Sequence, residues 1–156
     1  MDGRSAAIKI YAYGKAGEED LRVELDAYRA LRREQGRSVP RLLAHGLLDH
    51  CFRPFLAISM EGCSLDAVGY ARTMALSDPL GELRALAQRA LRRVHACGVM
   101  HGDLRLANFV WSASGGIKLL DFGRAVVHAS SDLLAEEEAE LEAVFGKAKE
   151  EAEHHS

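Results

Sequence analysis

The sequence predicts an α+β fold with a strand-rich amino-terminal part and a helical carboxy-terminal part. Three observations carry this. Short runs rich in β-branched or apolar residues occur near residues 6–11, 41–48 and 55–60. Two stretches, about 18–35 and 78–98, repeat apolar residues at helical spacing. Two further apolar runs, Phe109-Val110-Trp111 and Ile117-Lys118-Leu119-Leu120, flank a turn-forming Ser112-Ala113-Ser114-Gly115-Gly116.

Taken in order, Ala6-Ala7-Ile8-Lys9-Ile10-Tyr11 predicts a strand, and Gly14 and Gly17 punctuate the loop after it. The helix over 18–35 carries Leu21, Leu25, Tyr28 and Leu31 on one face and has Gly36 as its stop. Glu24 lies on that apolar stripe, one turn from Leu21 and Tyr28, which fits either a snorkelling charge or a buried pair. Ser38-Val39-Pro40 leads into the strands near 41–48 and 55–60, with 49–54 as their turn. Glu61-Gly62-Cys63 reads as an irregular link, and Ser64-Leu65-Asp66 as the start of a short helix. Asp78-Pro79 is a helix start, with Asp as cap and Pro at the first helical position. Leu80, Leu83, Ala87, Leu91 and Val94 share that helix's face, and Gly98 ends it. After Asp132 a last helix places Leu134, Leu141, Val144, Phe145 and Ala148 on one face. Its acidic run, 136–142, reads as solvated.

At 156 residues the chain predicts one domain. A net charge of −3 gives no electrostatic case for nucleic acid or an anionic membrane. No apolar run reaches the ~20 residues of a membrane span, and residues 1–5 lack the apolar core of a signal peptide. Cys51, Cys63 and Cys97 are odd in number and show no paired spacing, which predicts buried or half-buried free thiols and a reducing cytoplasmic setting. His154-His155 reads as a frayed tail.

Chemistry concentrates in His101-Gly102-Asp103-Leu104-Arg105-Leu106-Ala107-Asn108 and in Asp121-Phe122-Gly123. Phosphoryl transfer to a hydroxyl needs an Asp to orient the acceptor, and an Asn and a second Asp to hold Mg²⁺ against the phosphates. The pattern H-x-D-x-x-x-x-N followed by D-F-G resembles the protein-kinase-like superfamily. The resemblance spans roughly residues 9–125. It implies a reduced bilobal protein-kinase-like fold: a small N-lobe at 1–60, a hinge at 61–63 and a minimal helical C-lobe at 64–156.

The same resemblance implies roles. Asp103 matches the catalytic base, and Arg105 stands where a Lys commonly steadies the γ-phosphate. Asn108 and Asp121 match the metal ligands, and His101, Phe122 and Gly123 brace them. Lys9 resembles the strand lysine that pairs the α- and β-phosphates, and Glu24 the helix glutamate that holds it. As surface charges, Lys9 and Glu24 would need no partner; the phase of Glu24 favours the pair. Met60-Glu61-Gly62-Cys63 falls at the hinge, so Glu61 and Cys63 are expected beside the adenine, with Ser59 and Met60 both open as the back of that pocket. The implied cofactors are ATP and Mg²⁺, with a protein or small molecule as phosphate acceptor.

Three departures qualify the resemblance. Only eight residues precede Lys9, so the N-lobe lacks the glycine-rich hairpin that covers the phosphates. No proline follows Pro79, so no Ala-Pro-Glu closes an activation segment, and 33 residues follow Gly123. Gly102 replaces the usual Arg that grips a phosphorylated loop. His-Gly-Asp is also similar to aminoglycoside and choline phosphotransferases. The function read from the sequence is therefore an atypical ATP-dependent phosphotransferase that transfers or hydrolyses the γ-phosphate. The alternatives are a non-catalytic pseudokinase scaffold, a small-molecule phosphotransferase, and a fragment whose upstream strands precede Met1. An open sheet edge also makes self-association an expectation.

Overall fold

In the computed structural model the described residues are 5–48, 50–66, 79–112 and 116–154. Their order is β1 (Ala6–Ile10), α1 (Lys15–Ala30), β2 (Leu42–Leu47), β3 (Pro54–Ser59), β4 (Gly62–Ser64), α2 (Pro79–Ala96), β5 (Val99–Met100), β6 (Phe109–Ser112), β7 (Ile117–Leu119), β8 (Val126–Val127) and α3 (Ser131–His154). This is an α+β protein whose strand pairs are all antiparallel.

The first sheet has the order β1-β3-β2. Its register sets Lys9 opposite Leu56 and Ile8 opposite Ala57, and strand alternation then divides the faces. Leu56 is buried, whereas Ile8 and Ile10 stand exposed on the opposite face. Helix α1 packs its predicted stripe inward: Leu21, Leu25, Tyr28 and Leu31 are buried, and Glu24 with them. The helix begins earlier and ends earlier than its apolar period predicts. The Nε2 of Gln35 donates to the Tyr28 carbonyl at 3.0 Å, taking an acceptor that further helix would use, and residues 31–34 become turns.

The stretch Glu61-Gly62-Cys63 is not an irregular link. Gly62, Cys63 and Ser64 form β4, paired in register with Ser112, Trp111 and Val110 of β6. The sheet β4-β6-β7 therefore ties the expected hinge directly to the hairpin between Asn108 and Asp121, across the expected boundary at residue 63. A two-stranded sheet, β5-β8, joins the entry of the loop at His101 to the exit of Asp121-Phe122-Gly123. Neither of those two-residue strands carries enough periodicity to be read in advance.

Helices α2 and α3 pack together over the second sheet. Leu83, Ala87, Leu91 and Val94 meet Leu141 and Phe145 in the core, where Phe109 and Phe145 stack edge to face at 6.2 Å. The thiol expectation is corrected: Cys51 and Cys63 are exposed and Cys97 is half-buried. No described helix is long and apolar enough to cross a membrane. Asp78, Asp49, residues 113–115, His155 and the helix expected beyond Asp66 lie outside the described residues, as do Met1–Arg4.

Candidate active site

Lys9 projects from β1 toward two carboxylates that are distant in sequence. Its Nζ donates to Glu24 Oε2 at 2.9 Å and to Asp121 Oδ1 at 2.6 Å. Burial opposes the ammonium charge, but the hydrogen bonds to Asp121 and Glu24 and their charges more than offset it, so the Lys9 pKa is raised. Asp121 shows the converse: burial would raise its pKa, while the bond to Lys9 and the Gly123 amide take it below the usual carboxylate value.

Glu24 is buried in α1 and accepts three donors. Besides Lys9, the Tyr11 hydroxyl reaches Oε2 at 2.5 Å and the Phe122 amide reaches Oε1 at 3.3 Å. The glutamate thus links β1, α1 and the Asp121-Phe122-Gly123 segment. Asp121 itself adopts a left-handed backbone, φ 64°, a conformation that Asp tolerates better than most residues. Among the described residues, both hydrogen bonds it accepts fall on Oδ1, from Lys9 and from the Gly123 amide, and none falls on Oδ2.

The loop after β5 presents Asp103 to the same cleft. The Asn108 side-chain nitrogen donates to the Asp103 carbonyl at 2.9 Å and to its Oδ2 at 3.3 Å. Arg105 Nε lies 3.7 Å from Asp103 Oδ2, and Arg124 Nη1 lies 4.0 Å from Oδ1. The cleft has a volume of about 480 Å³ and is lined by three cations, Lys9, Arg105 and Arg124, and three carboxylates, Asp20, Asp103 and Asp121. Such a lining suits a charged ligand better than an apolar one.

His101 is fully buried behind the loop. Its Nε2 donates to the Leu120 carbonyl at 2.8 Å, and its Nδ1 accepts the Asp103 amide at 3.2 Å. A carbonyl only accepts and an amide only donates, so these two bonds fix the neutral tautomer. Burial lowers the His101 pKa in the same sense, against the Leu120 bond and the nearby carboxylates. The ring also stacks on Phe122 at 4.8 Å, and Phe122 on Tyr28 at 5.7 Å.

Glu137 is the main residue that sequence reasoning placed wrongly. It belongs to the acidic run read as solvated, yet it is buried. Its Oε2 accepts His95 Nε2 at 2.8 Å and the His101 amide at 2.9 Å, and its Oε1 accepts the Gly102 amide at 2.6 Å. Burial would raise its pKa, but these donors hold it below the usual carboxylate value. The signal was available, because Glu137 is three residues after Leu134 and four before Leu141, on the apolar stripe of α3. Tyr11 was also missed. It stands two residues after Lys9, and strand alternation gives both side chains one face.

The structure therefore brings Lys9, Glu24 and Asp121 into one cluster, and Asp103, Arg105 and Asn108 into another, with His101, Phe122 and Gly123 behind them. Glu61 and Cys63 are not brought to this cleft. The Glu61 carboxylate is engaged by Lys118 and by Ser59 Oγ, and Cys63 is exposed on β4. Of the two residues expected behind an adenine, Ser59 is turned to Glu61, and Met60 is exposed.

The oxygen donors present suit a hard divalent cation. Asn108 directs its nitrogen at Asp103, which leaves its carbonyl oxygen for a metal, and Asp121 has Oδ2 open. The described residues hold no group of three or more His, Cys, Asp or Glu side chains arranged as a metal cage. A cation here would thus take further ligands from phosphate and water, as Mg²⁺ commonly does.

No family model matches the chain. Over 85 residues, 54% of its length, it is 34% identical to the chloroplastic serine/threonine-protein kinase STN8 of Arabidopsis thaliana. The chain spans 17% of that relative. Its similarity is thus kinase-like, over a segment.

Proposed function

We propose that the chain is a reduced, atypical ATP-dependent phosphotransferase that binds Mg-ATP in the cleft between β1 and the His101–Asn108 loop. The observation that supports this best is the convergence of Lys9, Glu24 and Asp121 from three separate elements on one point, with Asp103 across the same cleft. The sequence order of lysine strand, glutamate helix, loop Asp and Asn, and Asp-Phe-Gly is that of protein-kinase-like enzymes, and the segmental kinase similarity is in the same sense.

In this reading Lys9 turns its ammonium to the α- and β-phosphates while Glu24 keeps it at the cleft. Asp103 accepts the proton of the attacking hydroxyl or water and aligns it, and the Asn108 amide holds that carboxylate in place. Arg105 offers a fork of donors to the γ-phosphate as charge develops there. Asp121 and Asn108 would hold Mg²⁺, which when bound would supply charge neutralisation at the phosphates. His101 remains neutral and keeps the Asp103 backbone in register.

Turnover of γ-labelled ATP tests the reading. Magnesium-dependent release or transfer of label is expected from the wild-type chain, with loss of at least a hundredfold in Asp103→Asn and Asp121→Ala, on the order of a removed acid–base group. Turnover unchanged in a folded Asp121→Ala variant contradicts it.

A further inference from the structure

The two oxygens of Asp103 are not equivalent. Oδ2 accepts the Asn108 side-chain nitrogen and has Arg105 Nε beside it at 3.7 Å. Among the described residues Oδ1 accepts no hydrogen bond, and the cation beside it is Arg124, whose Nη1 lies 4.0 Å away. That separation is too long for a hydrogen bond, so the guanidinium stands next to the carboxylate without being tied to it. Its side chain is 75% exposed and lines the cleft, and among the described residues it has no other ionic partner. Its backbone, by contrast, is fixed. Arg124 lies in the turn closed by the Ala125 amide on the Phe122 carbonyl, just before β8, and its own carbonyl packs against Gly102, where a Cβ would come within 2.3 Å.

We propose that Arg124 selects the phosphate acceptor, and that this acceptor carries an anionic group, a phosphate or a carboxylate, close to its reacting hydroxyl; the proposal rests on the Mg-ATP reading above. With Oδ2 held by Asn108, the hydroxyl docks on Oδ1, at about 2.7 Å. A group a few bonds from that hydroxyl then meets the Arg124 guanidinium, whose planar fork fits a carboxylate or phosphate through two parallel hydrogen bonds. In the transfer the acceptor oxygen bonds to the γ-phosphorus, the bond from that phosphorus to ADP breaks, and the hydroxyl proton passes to Oδ1. Arg124 touches none of these atoms; it determines which acceptor reaches them. A cationic acceptor such as choline or an aminoglycoside brings its own charge to the same place and is repelled.

The test is transfer of γ-label from Mg-ATP, by the full chain, to glycerol 3-phosphate, glycerol and choline. The wild-type kcat/KM is expected to be at least about tenfold higher for glycerol 3-phosphate than for choline, with glycerol between them. Arg124→Gln is expected to raise the KM for glycerol 3-phosphate about tenfold with little change in kcat, and Arg124→Glu to reverse the order of the two charged acceptors. Both changes fall on an exposed side chain and leave the core intact. A peptide with a serine between aspartates carries the same chemistry on a protein, and its rate against that of glycerol 3-phosphate distinguishes the two sources. Arg124-dependent transfer to either one supports the proposal. No preference for the anionic probes, a preference for choline, label released to water alone, or equal losses for charged and neutral acceptors in Arg124→Gln each overturn it and leave the phosphotransferase reading in place. A wild-type chain that neither binds nor turns over Mg-ATP removes that reading, and the proposal with it.

Discussion

Tyr28 fills the centre of the α1 interface, and its hydroxyl has no hydrogen-bond partner among the described residues. A buried orphan hydroxyl costs about 1–3 kcal/mol relative to a satisfied one. Tyr28→Phe keeps the edge-to-face contact with Phe122 and removes the orphan. It is expected to raise stability by about 1 kcal/mol, a gain of roughly 2–4 °C in Tm by calorimetry. Gly102 has the opposite character. Its φ is 79°, and a Cβ there would lie 2.3 Å from the Arg124 carbonyl oxygen. Gly102→Ala is thus expected to cost at least about 2 kcal/mol by denaturant titration. That contact gives a physical reason for glycine where kinases carry Arg: two backbones touch. Lys9 and Glu24 were legible because a strand period and a helix period each set their direction. Arg124 was not, because its approach to Asp103 depends on that backbone contact, which no local pattern encodes.

Helix α3 acts through one side chain as well as through its apolar face. Glu137 receives the consecutive amides of His101 and Gly102 and, from α2, the His95 ring, so one carboxylate joins three elements. Glu137→Ala leaves those amides buried and unpaired. At about 1–3 kcal/mol per orphaned group, a loss of roughly 3 kcal/mol or more is expected, with faster exchange at the His101 and Gly102 amides. The exposed pair between Arg84 of α2 and Glu142 of α3 is expected to contribute under about 1 kcal/mol. Most of the elements followed from periodicity alone: the strand with Lys9, the Pro79 helix, and the hairpin after Asn108. The elements that did not were short or polar. Strands β4, β5 and β8 are two or three residues long, and pairing with distant partners defines them. The solvated reading of the acidic run failed at Glu137 because composition outweighed phase.

Across the whole molecule these groups set a pH window. Burial lowers the folded-state pKa of His101 from its ordinary 6.5, so its stabilising neutral form is fully present above that pH. As pH falls below 6.5 the unfolded chain takes the proton first and stability declines. A protonated Nδ1 would also face the Asp103 amide, donor against donor. Glu137 and Asp121 have folded values below their ordinary 4.5 and 3.8, so their contributions are lost as pH falls through those lower values. Lys9 has its pKa raised above 10.5, and its contribution is lost only as pH rises through the folded value. Stability by denaturant titration is therefore expected to be flat between about pH 7 and 9, to decline below 6.5 and to fall further below 4.5. A stability maximum below pH 5 would contradict this placement of His101. On the proposed reading, a nucleotide at 100 times its Kd would add about 2.7 kcal/mol to the folded state.

The most direct measurement of the central claim is a calorimetric titration of ATP into the wild-type chain with and without Mg²⁺, repeated with Asp121→Ala. Saturable binding is expected in Mg²⁺, weakened at least about tenfold by removing the metal or the Asp121 carboxylate. Affinity that is indifferent to both, or no binding at all, would contradict it.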